Sequence, residues 1–325
     1  VPESSNVQPA EQQRESSGPL RTAVIVNPVR VEGLDALRAE IVERLTAAGW
    51  PEPAWFETTA EDPGTGQARR AVEEGAEVVF VAGGDGTVRA CVAGLAGTRT
   101  ALAILPGGTG NLLATNLGVP TQSVEGIRLA MERGRREIDL GESDGGVFAV
   151  MAGMGLDAAM MQDAPTALKA RAGWVAYLVG AVKHLADPEM KVEVHVDDQP
   201  VRRRRARTVV VGNVGRLPAG TNLLPDADPD DGLLEVAIIA PRGVRHWVQL
   251  VVGLFRGDRR VPSREVVRGR RISVVSDRPQ SRQLDGDVID RARRLDVEVR
   301  PKALWVCVEQ PDESEDLAAG SPERG

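Results

Sequence analysis

Two cysteines, Cys91 and Cys307, are all that 325 residues contain. That excludes a disulfide framework and fits a reducing compartment, so a cytoplasmic protein is expected. The three histidines, His184, His195 and His246, are scattered without cysteine or carboxylate partners at ligand spacing, which argues against a zinc site. Aromatic residues make up 3% of the chain and build no stacking platform near its arginines, so nucleic acid is not an expected partner. No apolar run reaches the ~20 residues needed to cross a bilayer. The most apolar stretches, 174–182 and 247–255, fall well short. No basic segment followed by an apolar one opens the chain, and no secretory leader is expected in it. Lysine occurs only at Lys169, Lys183, Lys191 and Lys302.

Arginine carries the positive charge instead. Residues 201–300 hold 21 arginines against 13 acidic residues, a surplus of eight, while the whole chain stands at −7. A basic segment on an acidic protein suits an anionic membrane surface or a phosphorylated product. A general bias toward arginine is the other reading. Length suggests about two domains. A hydrophobic share of 42% and a charged share of 27% are ordinary for a soluble globular chain.

The ends, 1–20 and 309–325, are polar and read as disordered tails. Between them the pattern changes once. Strands are expected over 22–26, 54–57, 78–82 and 101–105, alternating with helices over 64–74, 87–95, from 111, and over 124–133, with Leu34, Leu37, Ile41 and Leu45 marking another. Such alternation predicts a Rossmann-like parallel sheet over 21–136. From 137 to 308 strands dominate, expected over 137–140, 147–152, 191–196, 208–211, 233–239, 271–275, 295–299 and 304–308, with one long helix near 165–185. A mainly antiparallel β-sandwich follows from that run.

Ligands bind parallel sheets at the carboxyl ends of the strands. Asn27, Thr59, the turn Gly83-Gly84-Asp85-Gly86-Thr87 and the turn Gly107-Gly108-Thr109-Gly110-Asn111 all fall there. Glycines uncover backbone N–H groups for phosphate oxygens at the start of the next helix, and Asp85 adds an oxygen ligand for a hard cation. A tight turn without a ligand is the alternative for one such cluster, and four on one rim weaken it. The turn is neither a Walker A loop nor a GxGxxG fingerprint. Asp285-Gly286-Asp287 reads as a hairpin turn when taken alone. The cluster Asp226, Asp228, Asp230 and Asp231 suits either a hard cation or a solvated turn.

Taken in order, Asn27-Pro28, Gly83 to Thr87, Pro106 to Asn111, Gly153-Met154-Gly155-Leu156-Asp157, Asp230-Asp231-Gly232-Leu233 and Asp285-Gly286-Asp287 resemble the motifs of the diacylglycerol kinase catalytic-domain family, which includes bacterial diacylglycerol kinases and sphingosine kinases. The resemblance covers about 21–308. The first glycine turn is shared with NAD kinases and phosphofructokinases; the second turn and the late Asp-Gly-acid motif are more specific. The resemblance implies an ATP- and Mg2+-dependent transfer of the γ-phosphate to diacylglycerol or a related lipid alcohol. Gly83, Gly84, Asp85, Gly86, Thr87, Asn27, Thr59, Gly108, Thr109 and Asn111 would bind the nucleotide. Asp287, with Asp285 and Asp85, would carry the catalysis, Asp287 standing where familiar members have Glu. A structural cation would rest on Asp228, Asp231 and the Leu233 carbonyl, as in some bacterial members. An acyl groove bordered by Trp174, Tyr177, Leu178, Trp247, Leu250, Val251, Leu254 and Phe255, and headgroup contact through Arg202 to Arg205, are further expectations, with apolar core as the alternative for the former. Peripheral membrane association and a homodimer complete the picture. NAD kinase, and a lipid or nucleotide binder of low turnover, are the rival functions.

Overall fold

The apolar run that ends in the first glycine turn becomes β3 (Val78–Gly83), buried along its whole length, as is β1 (Thr22–Val26) beside it. With β2 (Ala54–Glu57) and β4 (Ala101–Pro106) they form a parallel sheet in the order β2-β1-β3-β4. Side chains alternate between the faces of a strand. Val79 and Val81 therefore join a cluster with Ala68, Cys91 and Leu95, while Val78 and Phe80 join another with Ile41, Leu45 and Ile127. These partners come from α1 (Leu34–Ala47), α2 (Thr65–Glu73), α3 (Asp85–Leu95) and α5 (Ser123–Met131); a short α4 (Leu112–Asn116) follows the second glycine turn. The structure is a computed structural model and describes residues 18–107, 110–120, 122–155, 189–217 and 221–309.

The second half is antiparallel. β7 (Met151–Gly155), β10 (Thr208–Gly212), β11 (Leu234–Ile239) and β12 (Arg264–Gly269) pair in the order β7-β10-β11-β12. Opposite them run β9 (Arg202–Ala206), β8 (Met190–Val196), β13 (Arg271–Leu284), β14 (Asp287–Cys307) and β5 (Arg135–Ser143), which also pairs with the short β6 (Gly146–Phe148). β13 serves both layers, its start paired with β8 and its end with β7. Val209, Val211, Val236 and Ile238 meet Val192, Val194, Val274 and Leu295 in one core between the layers. Among the described residues of this half, the helix α6 (Gly243–Arg256) packs Leu250 onto the outer face with Val210 and Ala237.

The two halves interlock. After a register shift at Arg300/Leu304, where Lys302 takes a positive φ of 48°, the end of β14 pairs in parallel with Ala101 and Leu102 of β4. A single hydrogen-bonded path thus runs from β12 to β2. The strands expected over 295–299 and 304–308 are one bent strand. β5 begins at Arg135 and crosses the expected limit at 136/137. Leu20, at the edge of the expected first tail, is 3% exposed and packs with Val78 and Phe80. β9 and β12 escape the sequence because their arginines hide the period of two, and the strand expected over 147–152 breaks at Ala149 and Val150 for a reason given below. The helix near 165–185, with Trp174, Tyr177 and Leu178, lies outside the described residues, as do Leu156, Asp157, Gly108, Thr109, and residues 1–17 and 310–325.

Candidate active site

The rim at the carboxyl ends of β1, β3 and β4 is held together by contacts that only small or polar residues permit. The Asn27 backbone N–H donates to the Ala82 carbonyl at 2.9 Å, and its side-chain Nδ2 donates to Thr87 Oγ1 at 3.2 Å. That ties the end of β1 to the first turn of α3, where Thr87 is buried. A Cβ on Gly83 would lie 2.8 Å from Thr87 Cβ, and one on Gly107 would lie 3.4 Å from the Gly83 backbone. The Gly107 N–H donates to the Gly83 carbonyl at 3.1 Å, so the two glycine turns pack backbone on backbone. Gly84 differs: a Cβ there meets nothing within 4 Å. Open space thus stands over the N-terminus of α3, whose first N–H groups have no partner within the helix and whose dipole favours an anion.

Asp85 joins the two turns. Its Oδ2 accepts the Asn111 N–H at 3.0 Å and its Oδ1 accepts the Leu112 N–H at 2.7 Å. It therefore caps α4, whose N-cap residue Asn111 sits in the left-handed region at φ 45°. A Cβ at Gly110 would collide with the carboxylate. Thr59 lies on the same rim at the end of β2, two strands from β3. Its Oγ1 accepts the Asp62 N–H at 3.1 Å and its N–H donates to the Asp62 carbonyl at 3.0 Å, a local turn that directs its hydroxyl to its own loop.

The Asp285-Gly286-Asp287 turn between β13 and β14 arrives from the other half, and its two acids part company. Asp285, at a positive φ of 45°, is enclosed and accepts three backbone N–H groups, from Ala149 and Val150 at 2.9 Å and from Met151 at 2.8 Å. These amides turn toward the carboxylate, which is why the strand breaks between β6 and β7. Burial pushes the Asp285 carboxyl up to about 6, against the pull of its three donors and of Arg89. Asp287 points outward. Its side chain is 56% exposed, its Oδ2 lies 4.0 Å from where a Cβ on Gly86 would stand, and it pairs with Arg89 Nη1 at 2.6 Å. Asp85, Val88, Arg89, Leu113, Ala149 and Asp285 line a cavity of ≈ 10 Å³ beneath this pair, so both halves meet there.

Each carboxylate of the acidic loop is paired with an arginine. Asp228 and Asp230 both pair with Arg136, at 2.8 and 2.7 Å, Asp226 pairs with Arg259 at 2.6 Å, and Asp231 pairs with Arg268. The Leu233 N–H donates to Asp231 Oδ1 at 2.9 Å. Among the described residues no three His, Cys, Asp or Glu side chains group around a point that would hold a metal. In the expected Asp228, Asp231 and Leu233 set, both carboxylates are paired with arginines. The arginine run is matched in the same way, Arg202 and Arg204 to Glu265 and Arg203 to Glu193, which leaves Arg205 of the four. Of the apolar residues expected to border an acyl groove, Leu250 is buried and Trp247 and Leu254 pack against the core; Phe255 is exposed.

Three positions carry the seam without any signal in the sequence. Arg89 is one. Asp139 is fully buried on β5 and accepts the Lys302 N–H at 2.8 Å and the Gly232 N–H at 2.6 Å, which fixes the irregularity in β14. Asn213 donates to the Asp139 carbonyl at 2.7 Å and the Ala149 carbonyl at 3.1 Å.

Residues 21–143 match the diacylglycerol kinase catalytic domain and residues 149–308 match the YegS C-terminal NAD kinase beta sandwich-like domain. A protein of Pseudomonas aeruginosa named "Probable lipid kinase YegS-like" is 31% identical over 79% of this chain and 83% of its own length. A protein of Bacillus subtilis named diacylglycerol kinase is 25% identical over 82% of this chain and 89% of its own. Among solved structures, a diacylglycerol kinase from Bacillus anthracis superposes with a TM-score of 0.68 at 22% identity, covering 89% of this chain and 97% of that one. An NAD kinase from Archaeoglobus fulgidus in complex with ATP superposes at 0.51 and 15% identity, covering 89% and 93%. The fold is therefore common to both kinds of kinase, and the sequence matches separate them: the chain belongs to the diacylglycerol kinase catalytic-domain family.

Proposed function

We propose that the protein transfers the γ-phosphate of ATP to the hydroxyl of diacylglycerol or a related long-chain lipid alcohol, in the cleft between its two halves. The observation that carries this reading is Asp287, an exposed carboxylate from the second half standing over Gly86 of the phosphate turn in the first. Phosphoryl transfer needs little more from a protein than alignment, charge stabilisation and a base for the attacking hydroxyl. The open N-terminus of α3 above Gly84 suits the phosphates, with Asn27 and Thr87 holding the turn in shape. Asp287 takes the hydroxyl proton. Asp285 acts by position, fixing the turn that presents Asp287 through its three amides.

Magnesium that arrives with the nucleotide fits Asp85. A carboxylate offers about four lone-pair sites, and the two amides on Asp85 leave room for an ion that also takes phosphate and water oxygens. The ion would spread charge on the phosphoryl group. In the loop 226–231 the carboxylates are paired with Arg136, Arg259 and Arg268.

A lipid acceptor is met at a membrane surface. No helix among the described residues is long and apolar enough to cross one. α6 exposes Val248 and Val252 between the exposed Arg245 and Arg256, a pattern that suits peripheral contact with anionic lipid.

Incubation with radiolabelled ATP, magnesium and a panel of lipid alcohols tests the reading. Label in a chloroform-soluble product supports it; label only in a water-soluble dinucleotide, or in no product, overturns it.

A further inference from the structure

Arg89 stands one turn beyond the phosphate turn on α3 and crosses the seam to reach Asp287, 198 residues away, with Nη1 2.6 Å from Oδ2. Its side chain is 23% exposed, far more enclosed than its partner, and its Nε is buried without a hydrogen-bond partner. The cavity it lines with Asp85 and Asp285 has about the volume of one water molecule. Its positive charge also favours the ionised form of Asp285. The guanidinium is thus the more enclosed, and so the more restrained, member of the pair.

We propose that Arg89 is the positioning residue for Asp287, and that the pair spans the cleft as a unit; this rests on the phosphotransfer reading above. Aspartate has a short side chain with little reach from the β13–β14 turn. Arg89, anchored on the helix that begins at the phosphate turn, brings the carboxylate to the phosphates and holds Oδ2. Oδ1 is left to the acceptor hydroxyl. In the step itself the hydroxyl proton passes to Asp287 Oδ1, the acceptor oxygen bonds to the γ-phosphorus, and the bond from that phosphorus to the bridging oxygen breaks, its electron pair leaving with ADP. Misplacement of a reacting group by about 1 Å costs on the order of a hundredfold in rate, so the loss of Arg89 falls on kcat.

The test is a double-mutant cycle on the full chain, read as radiolabel transfer to whichever lipid alcohol the wild type uses. Arg89→Ala and Arg89→Gln, the latter retaining the aliphatic stem and so guarding against a folding defect, should each lower kcat about ten- to hundredfold, with KM for ATP and the melting temperature near those of the wild type. Arg89→Lys, which keeps the charge, should recover part of the loss. Because Arg89 acts through Asp287, Arg89→Gln combined with Asp287→Asn should be no slower than Asp287→Asn alone. Wild-type kcat in both single variants, a loss confined to KM for ATP, or a double variant slowed by the product of the two single losses would overturn the proposal. A wild type that transfers label to no lipid alcohol defeats the phosphotransfer reading and this inference with it, whereas an active wild type with unaffected Arg89 variants defeats the inference alone.

Discussion

The two acids of Asp285-Gly286-Asp287 lie two residues apart and should respond oppositely to the same change. In Asp285→Asn the amide oxygen can keep the Val150 and Met151 donors, but its NH2 then faces the Ala149 N–H. One hydrogen bond to a charged group is lost, worth about 1.5–3 kcal/mol, and a buried donor is stranded. Relief of the penalty for burying a charge offsets part of this, so the net loss should be about 2–3 kcal/mol. For a protein of this kind each kcal/mol moves the melting temperature by about 2–4 °C, giving a fall of roughly 5–10 °C. Asp287→Asn removes one member of a mostly exposed ion pair, a change of at most about 1 kcal/mol. It also removes the base, which should slow turnover by about 10²–10⁴ while ATP still binds. Thermal melts by circular dichroism and initial rates of label transfer read both variants. An Asp285→Asn protein that melts with the wild type, or an Asp287→Asn protein with full turnover, would refute the division of labour.

Two further outcomes follow from the same structure. Asp285 keeps a proton in the native state up to about pH 6, whereas the unfolded chain releases it near pH 4. The part of its stabilisation that depends on the bound proton is therefore full below about pH 4 and gone once pH has risen through about 6; a carboxyl-carbon NMR titration should find its midpoint near 6, and a midpoint below 4 would contradict the burial argument. Gly94→Ala should destabilise by about 1–3 kcal/mol, because the new Cβ would lie 2.6 Å from Ala68 Cβ and 2.7 Å from the Thr65 carbonyl where α2 and α3 cross. Urea denaturation with an unchanged midpoint would show that the helices can separate at no penalty.

The glycine turns on the rim of the first half were legible in the sequence because their signal is local. Gly83, Gly107 and Asn27 lie where strand and turn grammar put them, and the structure supplies the reason each must be small or polar. The Asp285-Gly286-Asp287 turn was only half legible. Nothing local distinguishes Asp285 from Asp287; the difference comes from three amides more than 130 residues earlier in the chain. Arg89 carries no local signal, since its partner lies on the other half. The arginine partners of the acidic loop were hidden for a similar reason: Arg136, Arg259 and Arg268 come from β5, the segment after α6, and β12, and only the fold brings them to Asp226, Asp228, Asp230 and Asp231. The interlocking of the halves through β14 was hidden because a strand's apolar pattern does not name its neighbour.

The central claim is that one cleft joins the phosphate turn of the first half to Asp287 of the second. A crystal structure with magnesium and a non-hydrolysable ATP analogue tests it most directly. The account predicts the γ-phosphate over Gly84 to Gly86, with Asp85 toward the ion and the Arg89–Asp287 pair facing the phosphorus from across the seam. A nucleotide bound with its phosphates away from that turn, or with Asp287 turned from them into solvent, would contradict it.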